Sequence, residues 1–173
     1  MAEDSEEETA QAKELQSRFT AAEIEGLGFK GEPRLQTMIR FLRARKHKPE
    51  DSESMMRELV KWRADFGVDA DAALGEDGVL GFDKCELMQF YPANYCGYDK
   101  LGRPMWLEQQ GRFDLKNMFA VVSLDRLLRL HVVMCEELVH RLVESAKKNG
   151  RGLKNGSVTI VDMDGFSMRM VNR

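Results

Sequence analysis

The residues best suited to chemistry fall at three places along the 173-residue chain. Between residues 33 and 67 there are nine Lys and Arg against five Asp and Glu. Five of these cations, Arg40, Arg43, Arg45, Lys46 and Lys48, crowd into one short stretch. An arginine fork beside a lysine ammonium suits a phosphodiester. The same cations would also favour a helix C-terminus through its dipole, with no ligand involved. Further on, Ser157 and Thr159 lie two apart in a β-branched run, so both hydroxyls point to one face of a strand. Thr is also an ordinary strand former, which competes with any binding role. Asp162 and Asp164 leave the same run. Cys85, Cys96 and Cys135 are an odd set without metal-ligand spacing, and His47, His131 and His140 are the only imidazoles. Neither a zinc site nor a disulfide is expected, and no cofactor is implied.

The elements that must position these groups follow from periodicity and punctuation. The first nine residues hold five carboxylates and no apolar period, which reads as a solvated stretch. They also exclude a secretory signal. A weak helix is expected from Gln11 to Phe19. Thr20 and Glu23 form a capping-box pattern that opens a short helix ending at Gly26 or Gly28. Pro33 fits a first helical position, and Leu35, Met38, Ile39 and Leu42 then share one face. Pro49 opens a second helix whose apolar positions are Met55, Met56, Leu59, Trp62 and Phe66, with Gly67 as its stop. Two helices joined by a short basic connection make a helical hairpin.

Residues 68–81 carry three glycines and little pattern beyond a turn near Ala70 to Leu74, which suggests a boundary. A short helix from Asp83 to Met88, a turn from Tyr98 to Pro104 and a strand around Met105 to Leu107 come next. Ser123 caps a long helix from about Leu124 to Lys148. Ser157 to Asp162 is a strand. Strand, long helix and strand form one βαβ unit, which normally belongs to a larger parallel or mixed sheet.

Three stretches in order carry a family resemblance: RFLRARKHKPED with MMRELVKWRADFG, then FYPANYCGYDKLGRPMWLEQQG, then VTIVDMDGFS. From about Leu35 to Ser167 the chain resembles the CRAL-TRIO family, in its phosphatidylinositol/phosphatidylcholine transfer branch of yeast and plants. The resemblance implies an α/β architecture. An N-terminal helical hairpin domain over residues 20–75 follows an acidic tail over 1–18. The start of a mixed-sheet lipid-binding domain then covers 82–173. The family's remaining floor strands, its gate helix and its further headgroup contacts have no counterpart before Arg173, so that domain is expected to be incomplete.

The same resemblance implies site residues. Arg45 and Lys46 match the pair that contacts the inositol phosphate. Tyr95 matches a choline-binding tyrosine, and Trp106 stands at a second aromatic position that is usually tyrosine. Cys135 stands at a third. Ser157 and Thr159 match hydroxyls that bond a lipid phosphate, and Asp99 matches a position in the loop before Gly102, Arg103 and Pro104. The implied activity is phospholipid binding and transfer between membranes, phosphatidylinositol favoured and phosphatidylcholine second, without catalysis. The implied partners are a phospholipid, a transient membrane surface and a downstream lipid kinase.

Two other functions are compatible with parts of the sequence. The hairpin alone could be a helical protein-interaction module. The Asp162–Asp164 pair resembles the first motif of haloacid-dehalogenase-type phosphatases, though Phe166 stands where Thr or Val is wanted. Nucleic acid is not expected, because the chain is acidic overall (net −3) and residues 40–48 lack interleaved aromatics beyond Phe41. With no run of eighteen apolar residues, a cytoplasmic protein with peripheral membrane association is the expectation.

Overall fold

A computed structural model describes residues 5–27, 31–150 and 156–167. The fold is α/β and divides into two compact units, residues 1–67 and 68–173.

The first unit is helical: α1 Glu6–Ser17, α2 Ala21–Leu27, α3 Arg34–Ala44 and α4 Pro49–Phe66. Of the expected solvated stretch, residues 1–4 lie outside the described residues; from Ser5 on the chain departs from it, because Ser5 caps α1 by accepting from the Glu8 amide at 3.1 Å. Glu6, Glu7 and Glu8 then sit in the first turn, where the dipole favours negative charge. The capping box forms as read. Thr20 N donates to the Glu23 carboxylate at 2.7 Å and Glu23 N donates to Thr20 Oγ1 at 3.3 Å. The apolar stripe of α3 is buried through Met38, Ile39 and Leu42, joined by Phe41 and packed with Leu15 and Met56. In α4 only Met56 of the expected stripe is fully buried, while Trp62 stacks on Phe66 at 5.3 Å in partial exposure. Gly67 ends α4 at φ 81°, donating to the Arg63 carbonyl at 3.0 Å.

The second unit holds α5 Val68–Leu80, α6 Lys84–Met88, β1 Ala93–Tyr98, β2 Pro104–Gln109, α7 Leu115–Val121, α8 Leu124–Asn149 and β3 Val158–Asp162. Where sequence pattern suggested a single turn, α5 runs the full stretch and is broken at Gly75. Its order comes from α8: Arg129 pairs with the buried Asp71 at 2.8 Å, and Arg126 donates to the Leu80 carbonyl at 2.6 Å. Ser123 caps α8 as expected, accepting from Arg126 N at 3.3 Å.

The sheet has strand order β1-β2-β3, with β1 antiparallel and β3 parallel to β2. The β2–α8–β3 crossover is therefore the expected βαβ unit. Neither β1 nor α7 stood out in the sequence. β1 reads Ala-Asn-Tyr-Cys-Gly-Tyr without apolar alternation and owes its state to pairing with β2. The core of this unit gathers Leu80, Leu87, Met118, Leu130, Val133 and Met134.

Candidate functional site

The basic turn joins α3 to α4, in the first unit. Its backbone is a Schellman arrangement, with His47 N donating to the Leu42 carbonyl at 2.8 Å and Lys46 N to the Arg43 carbonyl at 3.3 Å. Glycine is the usual residue at the left-handed position, yet here Lys46 (φ 53°) and His47 (φ 58°) both occupy it. A left-handed L-residue costs about 1–2 kcal/mol. Such strain concentrates where side-chain presentation matters. Lys46→Gly is therefore expected to stabilise the first unit by about 1 kcal/mol while deleting a cation. Urea unfolding would read the gain, and an unchanged or lower midpoint would show that the turn is unstrained.

The five crowded cations separate by partner. Arg43 forms a bidentate pair with Glu8, both contacts 2.6 Å, and Arg40 reaches Glu32 at 3.3 Å. Lys48 lies 3.7 Å from Asp51. Arg45 and Lys46 are exposed and form no ion pair among the described residues. Sequence singled out this pair by resemblance alone, and the structure supplies a physical distinction between them and their neighbours.

The other candidates lie in the second unit, on the sheet. Register places Tyr95 opposite Trp106, and Trp106 opposite Thr159. Residues directly opposite share a face, with strands about 4.8 Å apart. Three expected site residues, one from each strand, thus form one cross-strand row, and Ser157 immediately precedes β3. Ser157 and Thr159 are exposed, and neither hydroxyl makes a hydrogen bond among the described residues.

α8 approaches the same face. The Arg141 guanidinium lies 4.1 Å from the Tyr95 ring centroid and is held by Glu137 at 2.7 Å. Partial burial and the Tyr98 hydroxyl raise the Tyr95 phenol pKa, while Arg141 pulls it down. Trp106 packs against the core, and its indole N–H donates to Glu108 at 3.0 Å. Lys84, only 8% exposed, places its ammonium 5.9 Å from the Trp106 ring and within 2.9 Å of both Glu76 oxygens. Sequence reasoning passed over Lys84 and Arg141, since their partners lie 8 residues away and on another element respectively.

Asp99 is consumed by its own turn. Its carboxylate accepts from Leu101 N (2.9 Å), Arg103 N (2.8 Å) and Arg103 Nε (2.7 Å), and the Arg103 amide foremost holds its pKa below the usual range. Ser145 donates to the Gly102 carbonyl, fixing this turn on α8. Asp162 likewise accepts from the Asp164 amide at 3.0 Å, in a turn that follows β3. Cys135 lies on α8 one turn from His131, its Sγ 3.7 Å from the ring.

Residues 89–173 match the CRAL/TRIO domain family model. The phosphatidylinositol/phosphatidylcholine transfer protein SFH9 of Arabidopsis thaliana is 36% identical over 132 residues, covering 76% of this chain and 22% of that protein. The Sec14 cytosolic factor of Schizosaccharomyces pombe is 31% identical over 153 residues, 87% of this chain and 51% of that protein. Protein real-time of Aedes aegypti is 34% identical over 139 residues, 79% of this chain and 20% of that protein. The chain spans from a fifth to about half of the length of these curated relatives.

Proposed function

We propose that this chain, which belongs to the CRAL/TRIO domain family, binds a phospholipid and carries it between membranes without chemistry of its own. Phosphatidylinositol is the favoured cargo. A transient membrane surface is its point of exchange, and a lipid kinase is a downstream recipient. No helix among the described residues is long and apolar enough to cross a membrane.

The observation that carries this reading is the cross-strand row of Tyr95, Trp106 and Thr159, with Ser157 just ahead of β3. Two hydroxyls without hydrogen-bond partners among the described residues, near two aromatic rings, suit a phosphate ester with a bulky substituent. Arg45 and Lys46 add a cation pair on the helical unit that no carboxylate neutralises among the described residues. In this reading Asp99 organises its loop and does not touch lipid.

The test is transfer of labelled phosphatidylinositol between vesicles by the native protein. Replacing both Arg45 and Lys46 by Ala is expected to slow transfer about ten- to a hundredfold, the loss of one or two charge-assisted contacts. Undiminished transfer would show that these two residues take no part in it. Native protein that yields no phospholipid on organic extraction would turn the reading towards a protein-interaction module.

A further inference from the structure

The corner between α7 and α8 turns apolar side chains in two directions. Met118 and Val122 are buried and, with Leu127 and Leu130, pin the corner to the core of the second unit. Phe119 (51% exposed) and Val121 (48%) at the end of α7 point the other way, as do Leu124 (60%) and Leu128 (51%) at the start of α8. Leu124 and Leu128 are four apart and share one side of their helix, away from the stripe of Leu130, Val133 and Met134. Local structure does not call for them, since Asp114 caps α7 and Ser123 caps α8. Large apolar side chains gathered in the open at one corner mark a surface that meets an apolar partner.

The charges around the corner say which kind. Residues 111–130 hold Arg112, Lys116, Arg126 and Arg129 against Asp114 and Asp125. Both carboxylates are occupied within the chain. Asp114 accepts from Asn117 N at 3.1 Å and from Asn117 Nδ2 at 2.6 Å, and Asp125 pairs with Arg129 at 3.1 Å. Arg112, Lys116 and Arg126 are exposed and form no ion pair among the described residues. Arg126 gives a donor to the Leu80 carbonyl at 2.6 Å, a neutral partner that leaves its charge in place. Lys116 lies one turn before Phe119, and Arg126 falls between Leu124 and Leu128 in the chain. Exposed apolar side chains flanked by unneutralised cations complement a bilayer with anionic headgroups. The long stems of Lys and Arg let apolar tips sink while the charges stay at headgroup level.

We infer that the α7–α8 corner is the surface by which this protein docks on an anionic lipid bilayer. Phe119, Val121, Leu124 and Leu128 enter the bilayer, and Arg112, Lys116 and Arg126 face its phosphates. This rests on the phospholipid-carrying reading and gives its membrane contact a place, on residues distinct from those assigned to the cargo.

The experiment measures co-sedimentation of the full-length native protein with phosphatidylcholine vesicles that contain or lack phosphatidylserine. In parallel it measures the phospholipid the protein carries after purification. The wild type is expected to bind the anionic vesicles about tenfold more tightly than the neutral ones, or better. Phe119→Ser combined with Leu124→Ser is expected to weaken that binding about tenfold or more, with unchanged melting and unchanged cargo. Lys116→Gln is expected to weaken it about fivefold on anionic vesicles and to leave neutral vesicles unaffected. A double variant that binds as the wild type does overturns the inference and leaves cargo binding standing. So does a wild type that carries phospholipid yet shows no preference for anionic vesicles. A wild-type dimer that the double variant turns into a monomer also overturns it, and gives the corner to a second copy of this chain. A wild type that carries no phospholipid and sediments with neither vesicle overturns both readings. Should the double variant not fold, Lys116→Gln and the wild-type preference decide.

Discussion

Replacing Gly111 by alanine is expected to cost the second unit about 3 kcal/mol or more, a large effect for one methyl group. A Cβ at Gly111 would fall 1.8 Å from the Asp164 carbonyl oxygen, 2.5 Å from its carbon and 2.8 Å from Phe166 N. All three are backbone atoms, so no side-chain rotation relieves the overlap. The turn after β3 would have to leave the 3-10 turn at Gln110–Arg112, taking the end of β3 with it. Because β3 carries Thr159 and is preceded by Ser157, lipid loading should fall together with stability. Thermal unfolding followed by circular dichroism should show a midpoint lowered by about 10 °C or more. Gly26→Ala is the matched control, since nothing lies within 4 Å of its added Cβ in α2. There alanine should stabilise by about 0.5–1 kcal/mol through reduced chain entropy. Equal midpoints for Gly111→Ala and wild type would refute the close approach of these two backbones.

Removing the partner of Lys84 is the second large effect. Glu76→Ala leaves a buried ammonium with Asn94 as its remaining bonded neighbour. Breaking a fully buried pair costs about 3–5 kcal/mol, and the 32% exposure of the Glu76 side chain admits enough water to bring this to about 2–3 kcal/mol. The double variant Glu76→Ala with Lys84→Met removes the stranded charge as well and should recover a good part of the loss. A double-mutant cycle by urea unfolding measures the coupling directly. If Glu76→Ala alone and the double variant lose the same stability, Lys84 is not held by this pair. Lys84 joins α6 to α5 through Glu76 and approaches β2 at Trp106, so the cross-strand row should loosen in the single variant too.

The charge pattern separates cations engaged in folding from cations with no ion pair among the described residues. Arg40 and Arg43 resemble Arg45 in sequence, yet Glu32 and Glu8 use them to attach neighbouring segments of the helical unit. In the second unit, Arg126 and Arg129 do the same for α5. Arg45 and Lys46 are left at a turn whose backbone is bent against the preference of its own side chains.

By itself the sequence determined what depends on neighbours within a turn or two. The α3–α4 hairpin, the Thr20–Glu23 cap, the long helix α8 with Ser123 at its head, and strand β3 were all legible, because periodicity and capping are local properties. The three family motifs likewise located the candidate site residues. Tertiary structure alone decided the rest. Strand β1 exists through its ladder with β2, and α5 is held by Arg126 and Arg129 from a helix about fifty residues away. Residues 6–17 became a helix because Ser5 caps it and Arg43 compensates the buried Glu8. Only sheet register brought Tyr95, Trp106 and Thr159 into one row, and only packing seated Arg141 and Lys84 on their rings. Each of these depends on residues distant in the chain, whose pairing energy no local window of sequence contains.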